Sequence, residues 1–195
     1  MLVNTALTPI PQRFVTKQKY SETFAINSLV PSYVYNLNSP FDPNRTGVGH
    51  QAHAFDQLAI LYNRYRVISC KWIINGYSSG GALRIGYIAT NDLPSLTSLS
   101  DLVERPRARF VCQNPGASTE YLKGSVSIAS LVGRSKAQYM ADDRYQAMTN
   151  ADPSELALLQ IVAASMSDGT PEAALTITLE YTVEYFDQKP LTQSN

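Results

Sequence analysis

The chain is short of the residue types on which enzymes and metalloproteins depend. It has 2 histidines and 2 cysteines in 195 residues. His50 and His53 stand three apart, but a zinc site takes three or four ligands, and no Cys, Asp or Glu lies at motif spacing, although Asp56 is near. A cupin-type metal centre lacks its histidines, so loop hydrogen bonding is expected of both. Cys70 and Cys112 form no CxxC pair. Each sits in an apolar, strand-like run and reads as a buried reduced thiol, with a disulfide left open for want of geometry. No stretch approaches the roughly 20 apolar residues of a membrane span. The opening MLVNTALTPIP has neither the basic n-region nor the apolar length of a signal peptide. A soluble protein made inside the cell is expected, with no cofactor, no metal and no membrane partner.

Surplus charge is missing too. Lys+Arg and Asp+Glu each number 16, for a formal net charge of zero. Such a chain has no global attraction for nucleic acid and little repulsion to keep its own copies apart. The balance hides a gradient, because residues 1–109 carry 11 basic and 6 acidic side chains while residues 110–195 carry 5 and 10. Two local rows stand out at period two. Arg13, Lys17 and Lys19 share one side of a strand and are candidate phosphate contacts; Arg105, Arg107 and Arg109 would share a face of another. Solvated faces or subunit ion pairs are the alternative for both rows.

Motifs that suggest chemistry lack the setting it needs. GYSSG at 76–80 matches G-x-S-x-G, but a nucleophile elbow needs a strand turning into a helix, and here another strand follows and both histidines precede Ser78. Gly47-Val48-Gly49-His50-Gln51-Ala52 imitates a dinucleotide fingerprint without a preceding hydrophobic strand. Asp142, Asp143, Asp152 and Glu155 could contribute to a calcium site between subunits, yet without EF-hand spacing they read as a solvated acidic loop. An enzyme is not expected.

What the chain does have is alternation. Phe14 to Ile26 repeats at two residues, and so does Ala173–Phe186, where Leu175, Ile177, Leu179, Tyr181, Val183 and Tyr185 face one way and Thr176, Thr178, Glu180, Thr182 and Glu184 the other. Between them, strands are predicted over 12–26, 32–38, 65–77, 82–90, 107–113, 119–128, 155–166 and 173–186, with Gly124 a candidate bulge. Turns fall at 78–81, 114–118 and 167–171. A short helix over 55–65 would be capped by Asp56 and carry Leu58, Leu61, Tyr62 and Tyr65 on one face, and a helical turn is possible within 96–103. Eight strands with uneven connections predict an all-β chain, a single eight-stranded jelly roll of two antiparallel sheets with short helices in its loops; an immunoglobulin-like sandwich is second. The expected division is an irregular segment 1–11, the jelly-roll domain 12–187 and a tail 188–195. The 12 tyrosines suit half-buried strands and wet interfaces.

Residues 38–67, NSPFDPNRTGVGHQAHAFDQLAILYNRYRV, resemble the capsid proteins of small circular Rep-encoding single-stranded DNA viruses, the circovirus-like group. In that family a loop reading roughly P-x-D-P-x-x-T-G-x-G-H-Q leads into F/Y-D-Q, a hydrophobic stretch ending in Tyr, and Y-R-V opening a strand. The matching positions are Pro40, Asp42, Pro43, Thr46, Gly47, Gly49, His50, Gln51, Asp56, Gln57, Leu61, Tyr62, Tyr65, Arg66 and Val67. A second match is Asp143-Arg144-Tyr145-Gln146-Ala147 followed by Pro153.

The resemblance implies a virion coat subunit that joins copies of itself, as a 60-subunit icosahedral shell, around a single-stranded and circular DNA genome. Similar capsids occur in some small positive-strand RNA viruses, so genome type stays open. The family's Arg/Lys-rich arm, expected to hold the genome, is not among these residues; its removal or loss from the numbering is the expected reason, and a lineage that packages differently is the alternative. Loops at 38–54, 91–106 and 129–154 are expected to meet neighbouring copies, with 33–62 the first candidate contact. The competing reading is a non-assembling jelly roll that binds carbohydrate or a receptor.

Overall fold

The computed structural model describes residues 10–27, 32–78, 81–92, 99–113, 122–165 and 173–190. The strands are β1 Arg13–Ile26, β2 Ser32–Asn36, β3 Tyr62–Ser78, β4 Leu83–Thr90, β5 Arg109–Gln113, β6 Leu122–Ser127, β7 Gln146–Met148, β8 Leu158–Ser165 and β9 Ala173–Gln188. The helices are α1 Phe55–Ala59, α2 Leu99–Val103, α3 Ile128–Leu131 and α4 Lys136–Ala141, followed by a 3-10 turn, Asp143–Tyr145. The expected turns at 114–118 and 167–171 lie outside the described residues, as do residues 79 and 80 of the turn at 78–81.

The strands form two antiparallel sheets. One runs β1-β9-β3-β6, with β7 also on β3, and the other runs β2-β8-β4-β5. Strands consecutive in the chain, such as β1 and β2 or β3 and β4, fall in different sheets, while the first and last strands pair along all of β1, from Arg13↔Phe186 to Ile26↔Ala173. This is the predicted all-β jelly roll.

β9 takes the centre of the larger sheet because its parity is the cleanest. From Ala173 to Val183 its odd positions are buried and its even positions half-exposed, and it pairs with β1 on one edge and β3 on the other. The core between the sheets is rich in tyrosine. Tyr20, Tyr35, Tyr62, Tyr65, Tyr139, Tyr181 and Tyr185 are all fully buried. Their hydroxyls find acceptors: Tyr181 donates to Asn36 O at 2.7 Å, Tyr139 to Val67 O at 2.6 Å and Tyr185 to Gln18 Oε1 at 2.7 Å. A buried hydroxyl left unpaired would cost about 1–3 kcal/mol.

Several expectations are corrected. The helix expected over 55–65 stops at Ala59, and Tyr62 already pairs with Gln188. Five residues make a marginal helix, whereas the end of β9 offers a ladder that aromatic residues fill well. Asp56 does not cap that helix: Ala54 is its N-cap, at φ 64, and Asp56 lies in the first turn. Gly124 is not a bulge, because it stays in register opposite Trp72; a Cβ there would overlap the Trp72 ring, which occupies the space. The irregularity lies instead between Val67 and Ser69 of β3. Arg105, Arg107 and Arg109 do not share a strand face, since β5 begins only at Arg109 and Arg107 has the left-handed φ of 72. Cys70 is buried as expected, but Cys112 is exposed on the edge strand β5, opposite exposed Arg84, and both thiols are free. The 129–154 connection, expected to be irregular, holds most of α3, all of α4, the 3-10 turn and β7.

Candidate assembly loop and charged sheet face

The 37–54 segment, which carries most of the motif positions, has little regular structure and yet is tightly held. Asn38 and Ser39 are fully buried. Asn38 Nδ2 donates to Glu155 O at 2.9 Å, and its Oδ1 accepts from Ala157 N at 2.9 Å, so one side chain replaces a strand partner for two backbone groups. Ser39 Oγ lies 3.1 Å from Tyr65 Oη and donates to Asp152, while Asp42 N donates to Ser39 Oγ at 3.2 Å. Asn36 Nδ2 donates to Asp42 O at 2.7 Å, and the backbone of Pro40 and Pro43 accepts from Ala52 and Asn36. Burial, and after it the nearby Asp152 carboxylate, raise the Asp42 pKa above the ordinary carboxylate value.

A second knot forms around Glu22 of β1. Its carboxylate accepts from Tyr20 Oη at 2.5 Å, Tyr35 Oη at 2.6 Å and Asn44 Nδ2 at 2.7 Å, joining β1, β2 and the loop. Burial, reinforced by that carboxylate, pushes both tyrosines far above their usual pKa. Thr46 donates to Asn44 Oδ1 from its backbone at 3.0 Å and its hydroxyl at 2.7 Å, which closes a turn completed by Gly47 at φ 75. Gly49 is needed for space, because a Cβ there would meet Asn44 Cβ at 2.7 Å and Tyr20 Oη at 2.9 Å. His50 stacks on Tyr20, 4.5 Å between centroids, with Nδ1 at 2.7 Å from Gln51 O and Nε2 at 3.3 Å from Ser21 O. The Gln51 amide nitrogen, oriented toward Asp56, donates to its carboxylate at 2.5 and 3.2 Å. Gln57 is exposed on α1. Tyr62 Oη donates to Pro11 O at 2.7 Å and Tyr65 Oη to Ala151 O at 2.9 Å.

The remaining motif residues hold the 128–148 connection. Arg66 is 4% exposed; its Nη2 donates to Gln146 Oε1 at 3.1 Å and its guanidinium stacks over Tyr139 and Phe186, at 5.9 and 5.4 Å from the ring centroids. Arg144 forks onto Asp142 at 3.0 and 2.8 Å and holds that carboxyl down at about 2. It also lies 3.6 Å from Glu155 Oε1. Buried Tyr145 stacks on Tyr139 at 5.2 Å. All four acidic side chains that could have contributed to a calcium site have other partners: Asp142 and Glu155 face Arg144, Asp143 accepts from Gln146 and Asp152 from Ser39.

Arg13, Lys17 and Lys19 share the outer face of β1 as their parity requires, but β9 presents carboxylates to all of them. Arg13 lies 3.2 Å from Glu184, Lys17 3.0 Å from Glu180 and Lys19 3.8 Å from Glu180. Lys17 first, and then Lys19 and Lys71, lower the Glu180 pKa. Sequence reasoning pairs these cations with solvent or phosphate because strand order, and hence the neighbour opposite each residue, is not visible in a chain.

No protein-family model matches the chain, and no curated protein does either. Solved virus structures do. Cocksfoot mottle virus matches at 8% identity and a TM-score of 0.56, covering 97% of this chain and 91% of that one. A T=1 subviral particle of a Penaeus vannamei nodavirus capsid protein deletion mutant matches at 11% and 0.53, covering 89% and 96%. Desmodium yellow mottle tymovirus matches at 10% and 0.50, covering 99% and 100%. At these identities the likeness is one of fold, and it spans essentially the whole chain.

Proposed function

We propose that this chain is a viral coat subunit whose copies close into a small icosahedral shell around a single-stranded genome. The observation that carries the proposal is the strand order, β1-β9-β3-β6 against β2-β8-β4-β5, in a fold shared end to end with chains from virus particles. The resemblance of residues 38–67 and 143–153 to circovirus-like capsids favours circular DNA as the genome, a 60-subunit T=1 particle and assembly inside the host cell. The 37–54 segment and α1 are the first contact between copies. Their backbone is fixed by the Asn38 and Glu22 knots, yet Val48 and Ile60 remain 86% and 71% exposed, and a rigid loop presenting apolar side chains suits repeated identical contacts. Genome contact by Arg13, Lys17 and Lys19 would have to displace Glu180 and Glu184, so a basic arm is the better partner for most of the genome.

Size-exclusion chromatography with electron microscopy of the purified chain tests this. Closed particles are the expected result, and particles carrying absorbance at 260 nm would show cargo. Monomers or trimers at every salt concentration would favour a carbohydrate- or receptor-binding jelly roll instead.

A further inference from the structure

The first-strand cations are neutralised by their neighbours; three arginines, Arg105, Arg107 and Arg109, have no such ion pair among the described residues. At the open side of the sandwich, where edge strands β5 and β6 face each other, a cleft of about 430 Å³ is lined by Trp72, Tyr87, Arg107, Arg109, Lys123 and Ser125, among others. A second depression of about 350 Å³ adjoins it, shares Arg107 and adds Arg105 and Asn91. Among the described residues, no carboxylate lines either one. Arg105, Arg107 and Arg109 are exposed and form no ion pair with another described residue. They lie in and beside the turn before β5. The left-handed backbone at Arg107 breaks the strand parity that would have set all three on one face, and their side chains line two adjoining depressions instead. Burial raises the Tyr87 pKa, opposed first by the Trp72 indole N–H beside it and then by nearby Arg109, which lines the same cleft.

We propose that the Arg105–Arg109 turn and Lys123 form a phosphodiester-binding cleft for single-stranded nucleic acid. Guanidiniums match phosphate oxygens two at a time. Two adjoining depressions joined through Arg107 suit successive phosphates of a flexible strand. Trp72 and Tyr87 are only 3% and 5% exposed, so they offer no open ring for base stacking. The cleft holds the backbone and reads no sequence. In a chain of zero formal net charge, these three arginines place positive charge at one edge. That the phosphodiester belongs to a packaged genome rests on the shell reading above; the anion cleft itself does not.

Trp72 is the chain's single tryptophan, so its fluorescence reports occupancy directly. The full chain is titrated with an oligothymidylate of about ten nucleotides at several salt concentrations, and in parallel with inorganic phosphate. Each phosphate of a single strand that a variant no longer neutralises makes the log–log salt dependence shallower by about 0.7. Arg107→Gln with Arg109→Gln should therefore flatten the slope by about 1.4 and weaken binding about tenfold or more at low salt, whereas Lys17→Gln with Lys19→Gln should change affinity less than about twofold. An unchanged slope in the first pair, or a weakening confined to the second, overturns the cleft. So does a response to inorganic phosphate with none to the oligonucleotide. Particle imaging of the same samples separates the two readings. If the arginine pair abolishes particles while oligonucleotide binding is intact, the cleft is a subunit contact and the proposal fails. If the chain never assembles yet binds through the arginines, the cleft stands and the shell fails.

Discussion

The 37–54 loop and the 128–148 connection both lie outside the main strand ladders, and opposite physics holds them. The loop is tied by buried polar groups. Asn38, Ser39 and Asn44 are almost wholly inside, and each replaces a missing strand partner by hydrogen bonding. The connection is tied by aromatic surface, with Tyr139 packed against both Tyr145 and the Arg66 guanidinium, and with short helices satisfying their own backbone. A segment without secondary structure must find partners for its backbone elsewhere, so its anchors are polar and specific. A segment with helical turns needs only to bury a face.

The largest effect should follow from breaking the polar side of that contrast. Asn38→Ala would orphan Glu155 O and Ala157 N, for a loss of about 2–4 kcal/mol measured by denaturant unfolding. On the stacked side, Arg66→Ala removes the Gln146 bond and two ring contacts and should cost less, about 2 kcal/mol. Tyr139→Phe keeps the stack and loses only the bond to Val67 O, so about 1 kcal/mol is expected. An Asn38→Ala loss no greater than that of Tyr139→Phe would erase the contrast.

The smallest effects are pH slopes of opposite sign. Asp142 has a lowered pKa, so its contribution is present above the ordinary carboxylate value and is lost as pH falls toward about 2. Asp42 has a raised pKa, chiefly from burial, so its contribution is present at low pH and is lost as pH rises through its folded value. In unfolding measured against pH, Asp142→Asn should flatten the acid limb alone and Asp42→Asn the slope just above the carboxylate range. The same change from both variants would sink this assignment.

Most of the β architecture could be read from residue order. The alternation in β1 and β9 and the aromatic, β-branched run in β3 depend only on neighbours along the chain, because a strand buries every second side chain whatever it pairs with. The motif 38–51 could also be located, though not the reason for its residues. Gly49 is required by Asn44 and Tyr20, and Asn38 by Ala157, more than a hundred positions away.

Where a residue's role was set by its partner across the sheet, the chain was silent. Helical spacing of Leu58, Leu61, Tyr62 and Tyr65 is sound by itself, but β9 competes for the same backbone and wins from Tyr62 onward. Three cations on β1 have the parity of an open row, but β9 sets Glu180 and Glu184 opposite them, and three arginines expected on one strand face instead line two adjoining depressions around the turn at Arg107. Local order is written in periodicity, which each segment carries alone. Pairing, charge neutralisation and clefts belong to contacts between distant segments, and those exist only once the sheets have formed.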